Sequence, residues 1–317
     1  MSGQSESMQE ATHNIAILLC TYNSSDFLEE QLDSIGTQSH HHWSVWVSDD
    51  GSQDNTADIL EKYRNQWGEQ KLSVQAGPQQ GYALNFFSLI NNRNIREDYY
   101  AYSDHDDVWM EDKLARAIEW LKTIPEDTPA LYCSRTCVVD HHLKKIGFSP
   151  LFRRTPSFGN AIVQNIGGGN TMVLNQTARS LLQKLDISDG IVSHDWLTYQ
   201  VVTACGGKVF YDSKPTLYYR QHKRNLVGEN NSFLARLYRI KMLYRGQFRE
   251  WNTSNIKVIN TISPHLCPAN LKVIENLIHI RNSNILYRVL GLRKLTVYRQ
   301  TWFSNLVLYA AIVFKRF

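Results

Sequence analysis

Residues 99–107, YYAYSDHDD, place an apolar run directly before a cluster of charged side chains. The run predicts a buried strand, and the cluster predicts a loop at its carboxyl end. Carboxylates crowded in one loop repel one another, so a cation or a network of donors normally accompanies them. Asp104 and Asp106 are two residues apart, and in an extended loop both can face one Mg²⁺ or Mn²⁺ ion. The alternative is an acidic turn that caps the next helix.

The pattern of a short apolar run followed by a polar loop and a helix recurs along the first half of the chain. Three further runs predict strands: IAILLC at 15–20, WSVWVS at 43–48 and LSVQ at 72–75. Helical patterns separate them at about 24–38, 54–67, 83–90 and 111–122. Strands that alternate with helices at this spacing predict an α/β fold, with an open and mostly parallel sheet flanked by helices.

Sites in such sheets lie beyond the carboxyl ends of the strands. Three short polar loops follow strand ends here, at residues 21–23, 49–52 and 104–107. We therefore expect these loops to converge at one edge of the sheet.

Composition excludes several classes of protein. The chain has 317 residues, 43% of them hydrophobic, and a formal net charge of +4, which is too small for a dedicated nucleic-acid binder. None of the five cysteines forms a two-residue zinc or redox spacing. The polar first 14 residues have no apolar signal-peptide region. We therefore expect a cytoplasmic protein, peripheral on the inner face of the plasma membrane if the C-terminal region binds lipid.

The character of the sequence changes after about residue 230. Helical patterns rich in Leu, Tyr and Arg replace the acidic loops, which predicts one domain at 13–228 and a basic helical region at 232–317. The final segment at 303–317, FSNLVLYAAIVFKRF, is too short to span a bilayer. It is either an interfacial helix or a helix packed on the main domain. The helical region is thus a candidate for contact with a membrane surface or with an acceptor.

Individual side chains near the loops suit the handling of a nucleotide. Asp50 can accept from a base N–H or a ribose hydroxyl, or it is a simple turn residue. Tyr22 offers a stacking face, or it is a core tyrosine. Asp195, before the helical pattern at 196–204, is a candidate general base or a helix cap. The three glycines at 167–169 permit close backbone approach to a ligand, or they form a tight bend.

Six motifs in order carry a family resemblance: CTYN, SDDGSQDNT, YSDHDDVWMEDKL, GGGNTMV, SHDWL and YDSKPTLYYRQHKRN. Together they resemble the family 2 inverting glycosyltransferases with the GT-A fold, in particular the rhamnosyltransferase-like branch of bacterial surface-polysaccharide synthesis. The resemblance covers about residues 13–228. It implies a nucleotide-diphosphate sugar donor, a divalent metal, and inversion at the anomeric carbon by single displacement.

The resemblance also assigns roles to single residues. Asp195 matches the catalytic base, and Asp106 resembles the metal ligand, with Asp104 completing the D-x-D pattern. His105 departs from the family, whose members usually carry Gln there. Other candidate contacts fall into three groups. The nucleoside side comprises Cys20, Tyr22, Asn23 and Asp50; the diphosphate or metal side comprises Arg220 and His222; the donor-sugar or acceptor side comprises Gly168, Gly169, Asn170 and Trp196.

Two other functions compete with this interpretation. A sugar nucleotidyltransferase needs a glycine-rich, basic loop near its N-terminus, and CTYNSSD at 20–26 has no Gly, Lys or Arg. A non-catalytic nucleotide-sugar binding module would have no use for a base such as Asp195. We therefore expect a hexosyltransferase that moves rhamnose or another hexose to a saccharide acceptor, with a lipid-linked acceptor at the membrane as one form.

Overall fold

The computed structural model describes residues 12–222, 246–292 and 295–317. Eleven strands lie in its first part: β1 Ile15–Thr21, β2 Trp43–Asp49, β3 Leu72–Ala76, β4 Tyr99–Ser103, β5 Val108–Trp109, β6 Ala130–Ser134, β7 Cys137–Val139, β8 Lys145–Phe148, β9 Val173–Asn175, β10 Lys208–Asp212 and β11 Leu217–Arg220. Seven helices accompany them: α1 Leu28–Gly36, α2 Thr56–Trp67, α3 Tyr82–Asn91, α4 Lys113–Leu121, α5 Phe158–Ala161, α6 Gln176–Leu182 and α7 His194–Ala204.

A seven-stranded sheet in the order β10-β6-β9-β4-β1-β2-β3 forms the centre of the molecule. Strand β1 pairs in parallel with β2 and β4, and all seven of its residues are buried, as expected for a strand covered on both faces. Only β9 runs antiparallel to its neighbours among the described strands of this sheet. The predicted α/β fold with a mostly parallel sheet is therefore confirmed.

Residues 130–139 form two strands that lie in different sheets. Strand β6 joins the large sheet, whereas β7 joins a small sheet in the order β5-β11-β7-β8. The chain turns at Arg135, whose amide donates to Asp212 O at 2.9 Å while its Nε donates to Ser149 O at 2.6 Å. The polar residues at 134–136 mark this bend between two buried apolar halves.

Alternate residues of the central strands face two hydrophobic clusters, one on each side of the sheet. One cluster lies under α1, α2 and α4. The other lies under α3, α6 and α7 and extends into the C-terminal part of the chain. The sheet is thereby held rigid, and its carboxyl-end loops are displayed from a fixed base.

Four C-terminal helices are described: α8 Gln247–Asn260, α9 Pro268–Asn282, α10 Ile285–Gly291 and α11 Trp302–Val313. Buried residues of α8, α9 and α11, including Ile259, Leu277 and Ile312, belong to the same cluster as one face of the sheet. The proposed domain boundary near residue 230 lies outside the described residues. Across the described ranges, no helix is both long and apolar enough to cross a membrane.

Candidate active site

The loops after β1, β2 and β4 meet at one edge of the sheet, because these strands are parallel and in register. Thr21 lies beside Asp49, and Leu19 lies beside Ser103. Side chains fasten the first two loops together: Thr21 Oγ1 donates to Asp49 Oδ1 at 2.7 Å, and the Asn23 amide donates to Ser52 Oγ at 2.8 Å. The predicted convergence is confirmed. Tyr22 projects from this edge with 59% of its surface exposed, which leaves a ring face free for a base.

Asp50 organises the loop between β3 and α3. Its Oδ1 accepts from the Gln79 amide at 2.6 Å, and its Oδ2 accepts from the Gly81 amide at 3.2 Å. Gly77 packs so closely that a Cβ there would lie 2.8 Å from Asp50 Oδ1. The contact of Asp50 with a nucleoside stays a prediction, and the carboxylate already fixes the loop on which a nucleoside would lie.

Three carboxylates form the acidic triad, Asp104, Asp106 and Asp107, with one oxygen of each lying within 4.8 Å of the others. Burial, together with the charges of Asp106 and Asp195, raises the pKa of Asp104 to about 8. Burial and then the neighbouring carboxylates raise the pKa of Asp107 as well. These are hard oxygen donors held close together against their mutual repulsion, and this donor set fits Mg²⁺ or Mn²⁺.

His222 lies against the triad, and its predicted contact with the diphosphate or the metal stays a prediction. Its Nε2 is 2.8 Å from Asp106 Oδ2, and its ring packs on Phe27 with the centroids 4.8 Å apart. Burial opposes ionisation of Asp106, but the hydrogen bond from His222 and the nearby histidine charges outweigh it and lower the pKa of Asp106. Asp106 is therefore the member of the triad most readily available as a charged ligand. His105, the departure from the family pattern, is hydrogen-bonded to the backbone of Cys20.

A buried network behind the triad fixes Asp107, and sequence reasoning missed it. Asn170 Nδ2 donates to Asp107 Oδ2 at 2.5 Å, and Lys113 Nζ donates to Asn170 O at 2.6 Å. Lys113 is fully buried, and that burial lowers its pKa to about 7. One signal in the sequence pointed to this network: Lys113 begins α4 and lies on the helix face that is otherwise apolar and buried.

Asp107→Asn should destabilise the fold by about 1–3 kcal/mol. Both carboxylate oxygens accept, one from Asn170 Nδ2 and the other from the Arg220 amide, so an NH₂ group in place of either oxygen leaves a buried donor unpaired. Urea unfolding measures the change. Asp127→Asn, an exposed control, should stay within about 0.5 kcal/mol of the wild type. Equal stability of both variants would remove Asp107 from this supporting role.

Arg220 braces the acidic loop. Its Nε donates to Asp106 O at 3.0 Å, Nη1 donates to His141 O at 2.9 Å, and Nη2 donates to Glu30 Oε2 at 2.5 Å. The side chain is only 1% exposed. The structure therefore differs from the predicted diphosphate contact, because each guanidinium nitrogen already has a protein acceptor.

Asp195 lies at the start of α7 and is partly exposed. Asn165 Nδ2 donates to its Oδ2 at 2.8 Å, and the Trp196 amide donates to its Oδ1 at 2.7 Å. The charge of Asp195 contributes to the raised pKa of Asp104. Burial and the charges of Asp195 and Asp104 raise the pKa of Tyr82 to about 12, which places Tyr82 near both carboxylates. The candidate base and the triad therefore lie near each other, with Tyr82 close to both.

Four residues that were predicted to contact the substrates are buried in the protein. Trp196 is 7% exposed and its Nε1 donates to Ala161 O, Cys20 lies in the hydrophobic core, and Asn170 holds Asp107. Gly169 packs against a ring, since a Cβ there would lie 2.2 Å from His194 Nε2. These residues therefore support the site from inside the protein. The glycines at 168–169 form a tight bend into a 3-10 turn.

Residues 16–185 match the family model described as Glycosyl transferase family 2. The chain belongs to this family of glycosyltransferases. The dTDP-rhamnosyl transferase RfbG of Shigella flexneri is 29% identical over 258 residues, which are 77% of this chain and 84% of that protein. Membership in the family removes the nucleotidyltransferase hypothesis.

Two solved structures show that this family 2 glycosyltransferase has the GT-A type of fold that its motifs predict. TarS 1-349 of S. aureus in complex with UDP-GlcNAc aligns with a TM-score of 0.54 at 17% identity, covering 96% of this chain and 89% of that chain. The mannosyltransferase PcManGT from Pyrobaculum calidifontis, in complex with GDP-Man and Mn²⁺, aligns with a TM-score of 0.53 at 15% identity, covering 96% and 87%.

Proposed function

We propose that the chain transfers a hexose, with inversion, from a nucleotide-diphosphate sugar to a saccharide acceptor in the synthesis of a bacterial polysaccharide. The observation that carries the proposal is that the acidic triad and Asp195 lie near each other. Asp195 lies close enough to raise the pKa of Asp104. A transfer reaction of this kind needs one group for the leaving diphosphate and another for the acceptor.

The triad is the proposed site for Mg²⁺ or Mn²⁺, with Asp104 and Asp106 as ligands. A divalent cation supplies charge neutralisation for the diphosphate as it leaves. Asp107 is bound to Asn170 and to the Arg220 amide, so it shapes the site from behind. His222 keeps Asp106 ionised and oriented.

Asp195 is the proposed general base. Asn165 and the Trp196 amide each donate to one of its oxygens, which fixes the carboxylate in the first turn of α7. The acceptor hydroxyl gives its proton to Asp195 while the hydroxyl oxygen forms a bond to the anomeric carbon. The bond from that carbon to the diphosphate oxygen breaks on the opposite face, and the configuration inverts in one displacement.

Tyr22, Asn23 and Asp50 are the proposed nucleoside contacts, since they follow β1 and β2 at the edge where the triad lies. The relative in Shigella supports a thymidine nucleotide of rhamnose as the donor, because that relative is a dTDP-rhamnosyl transferase. The acceptor is a saccharide, for which we propose a lipid-linked form at the cytoplasmic face of the membrane.

Thermal protection by a panel of dTDP-, UDP- and GDP-sugars, each with Mg²⁺, Mn²⁺ or EDTA, tests this function. A donor at a hundred times its dissociation constant should stabilise the fold by about 2.7 kcal/mol. We expect dTDP-rhamnose with a divalent cation to give the largest shift and EDTA to abolish it. If no nucleotide sugar protects the protein with either metal, the proposed function is wrong.

A further inference from the structure

The C-terminal helices expose an unusual amount of apolar surface. Ten large hydrophobic side chains between residues 278 and 314 are exposed, compared with nine in the rest of the described chain. They include Ile278, Ile285, Leu286, Tyr287, Val289, Leu290, Trp302, Phe303, Leu306 and Phe314. Trp302, Phe314 and Phe303 are 76%, 67% and 63% exposed, so these rings stand almost entirely in solvent.

Eight of the ten lie on α10 and α11, which pack against each other. Ile278 lies on α9, and Phe314 directly follows α11. Helix α11 buries one stripe, with Leu308, Ala311 and Ile312, in the protein core. A second stripe on α11 follows at helical spacing through Phe303, Leu306 and Phe314, and it faces outward. A surface helix normally has a polar outer side, whereas α11 is apolar on both sides.

The same part of the sequence is basic throughout. Residues 276–317 contain seven cationic residues and no Asp or Glu. The cationic residues are Arg281, Arg288, Arg293, Lys294, Arg299, Lys315 and Arg316. Arg281 and Arg288 are buried, whereas Lys315 and Arg316 are exposed directly after α11. A second copy of this chain on the apolar surface would bring these like charges together, whereas an anionic surface would complement them.

We propose that the exposed apolar residues of α10 and α11, the C-terminal apolar face, dock on an anionic lipid bilayer. Helix α11 has 12 residues and is about 18 Å long, shorter than the roughly 30 Å hydrocarbon core, so it lies along the bilayer surface. Trp302 and Tyr287 are the ring types that prefer the boundary between headgroups and hydrocarbon. Lys315, exposed beside Phe314, meets the anionic headgroups.

Hydrogen bonds connect the segment before α11 to the residues that lead to Asp195, the proposed base. The segment 295–301 runs along residues 154–164: the Tyr298 amide donates to Gly159 O at 3.0 Å, and the Gln300 amide donates to Gln164 Oε1 at 2.8 Å. The next residue, Asn165, donates to Asp195. Docking therefore presents a membrane-held acceptor to the base. Only this last step rests on the proposed function; lipid binding does not require transfer.

Flotation of the full-length protein with vesicles tests the proposal, without donor or acceptor. One set of vesicles is phosphatidylcholine, and the other is phosphatidylcholine mixed with phosphatidylglycerol. We expect the wild type to float with the mixed vesicles and not with phosphatidylcholine alone. Trp302→Ser combined with Phe303→Ser should reduce flotation on the order of tenfold. Ile146→Ser, which removes a 55% exposed apolar residue from β8, should float as the wild type does.

Thermal unfolding of each variant shows whether it is folded, and donor protection shows whether the active site is intact. The proposal fails if the wild type stays unbound to the mixed vesicles, or if the double variant floats equally well. It also fails if the wild type is a dimer that the double variant converts to a monomer while neither binds lipid. None of these results depends on whether the proposed transfer is correct.

Discussion

Asp195→Asn should lower sugar transfer by about 10²–10⁴-fold, or roughly 3–5 kcal/mol in activation free energy, while donor binding stays nearly unchanged. Asparagine has the same shape, and its oxygen can still accept from the Trp196 amide that now bonds to Asp195. It cannot accept the proton of the acceptor hydroxyl. The loss should therefore appear in kcat, with little change in the affinity for the nucleotide.

Single-turnover transfer and calorimetric titration with the nucleotide measure the two effects separately. Asp58→Asn is a matched control, since it makes the same chemical change on an exposed residue in the first turn of α2. That control should keep wild-type turnover. An Asp195→Asn variant as active as the control would show that another group takes the proton.

Asp106→Ala should abolish metal-dependent binding of the donor. The substitution removes the triad carboxylate whose pKa is lowered by the hydrogen bond to His222, so the site loses the ligand most readily available in charged form. We expect donor affinity in Mn²⁺ to fall on the order of a hundredfold, to the level of the wild type in EDTA. Calorimetry with Mn²⁺ and with EDTA gives both values.

Asp112→Ala serves as the control for this experiment. Asp112 is the N-cap residue of α4, six positions further along the chain, and its side chain is 58% exposed. It should retain the full effect of Mn²⁺ on donor affinity. Should Asp106→Ala also retain that effect, the metal site lies elsewhere and the role of the triad is wrong.

Local patterns were sufficient to predict the sheet and the edge that carries the site. Strand β1 is buried on both faces and consists of continuous apolar residues, so its sequence alone indicates a central strand. The acidic loop follows the same logic, because charged residues directly after a buried strand have few other places to lie. These predictions depend on neighbours within a few residues.

The supporting shell depends on contacts between distant residues, and it was not predictable. Lys113 and Asn170 are 57 residues apart, and only the folded chain brings them behind Asp107. The family resemblance placed Trp196 on the donor-sugar or acceptor side, yet its side chain turns inward on α7 and donates to Ala161 O. Sequence order places a residue near the site, but it does not decide which way the side chain points.

The sheet and the C-terminal helices share one hydrophobic cluster, so this cluster can form only after the ribosome has made the end of the chain. The cluster face beneath α7 is complete only when Ile312 of α11 is in place, about 108 residues after Ala204. At roughly 5–20 residues per second, a ribosome needs about 5–20 s to make that stretch. The nascent chain therefore exposes an apolar face for several seconds. During this interval a chaperone can bind that face.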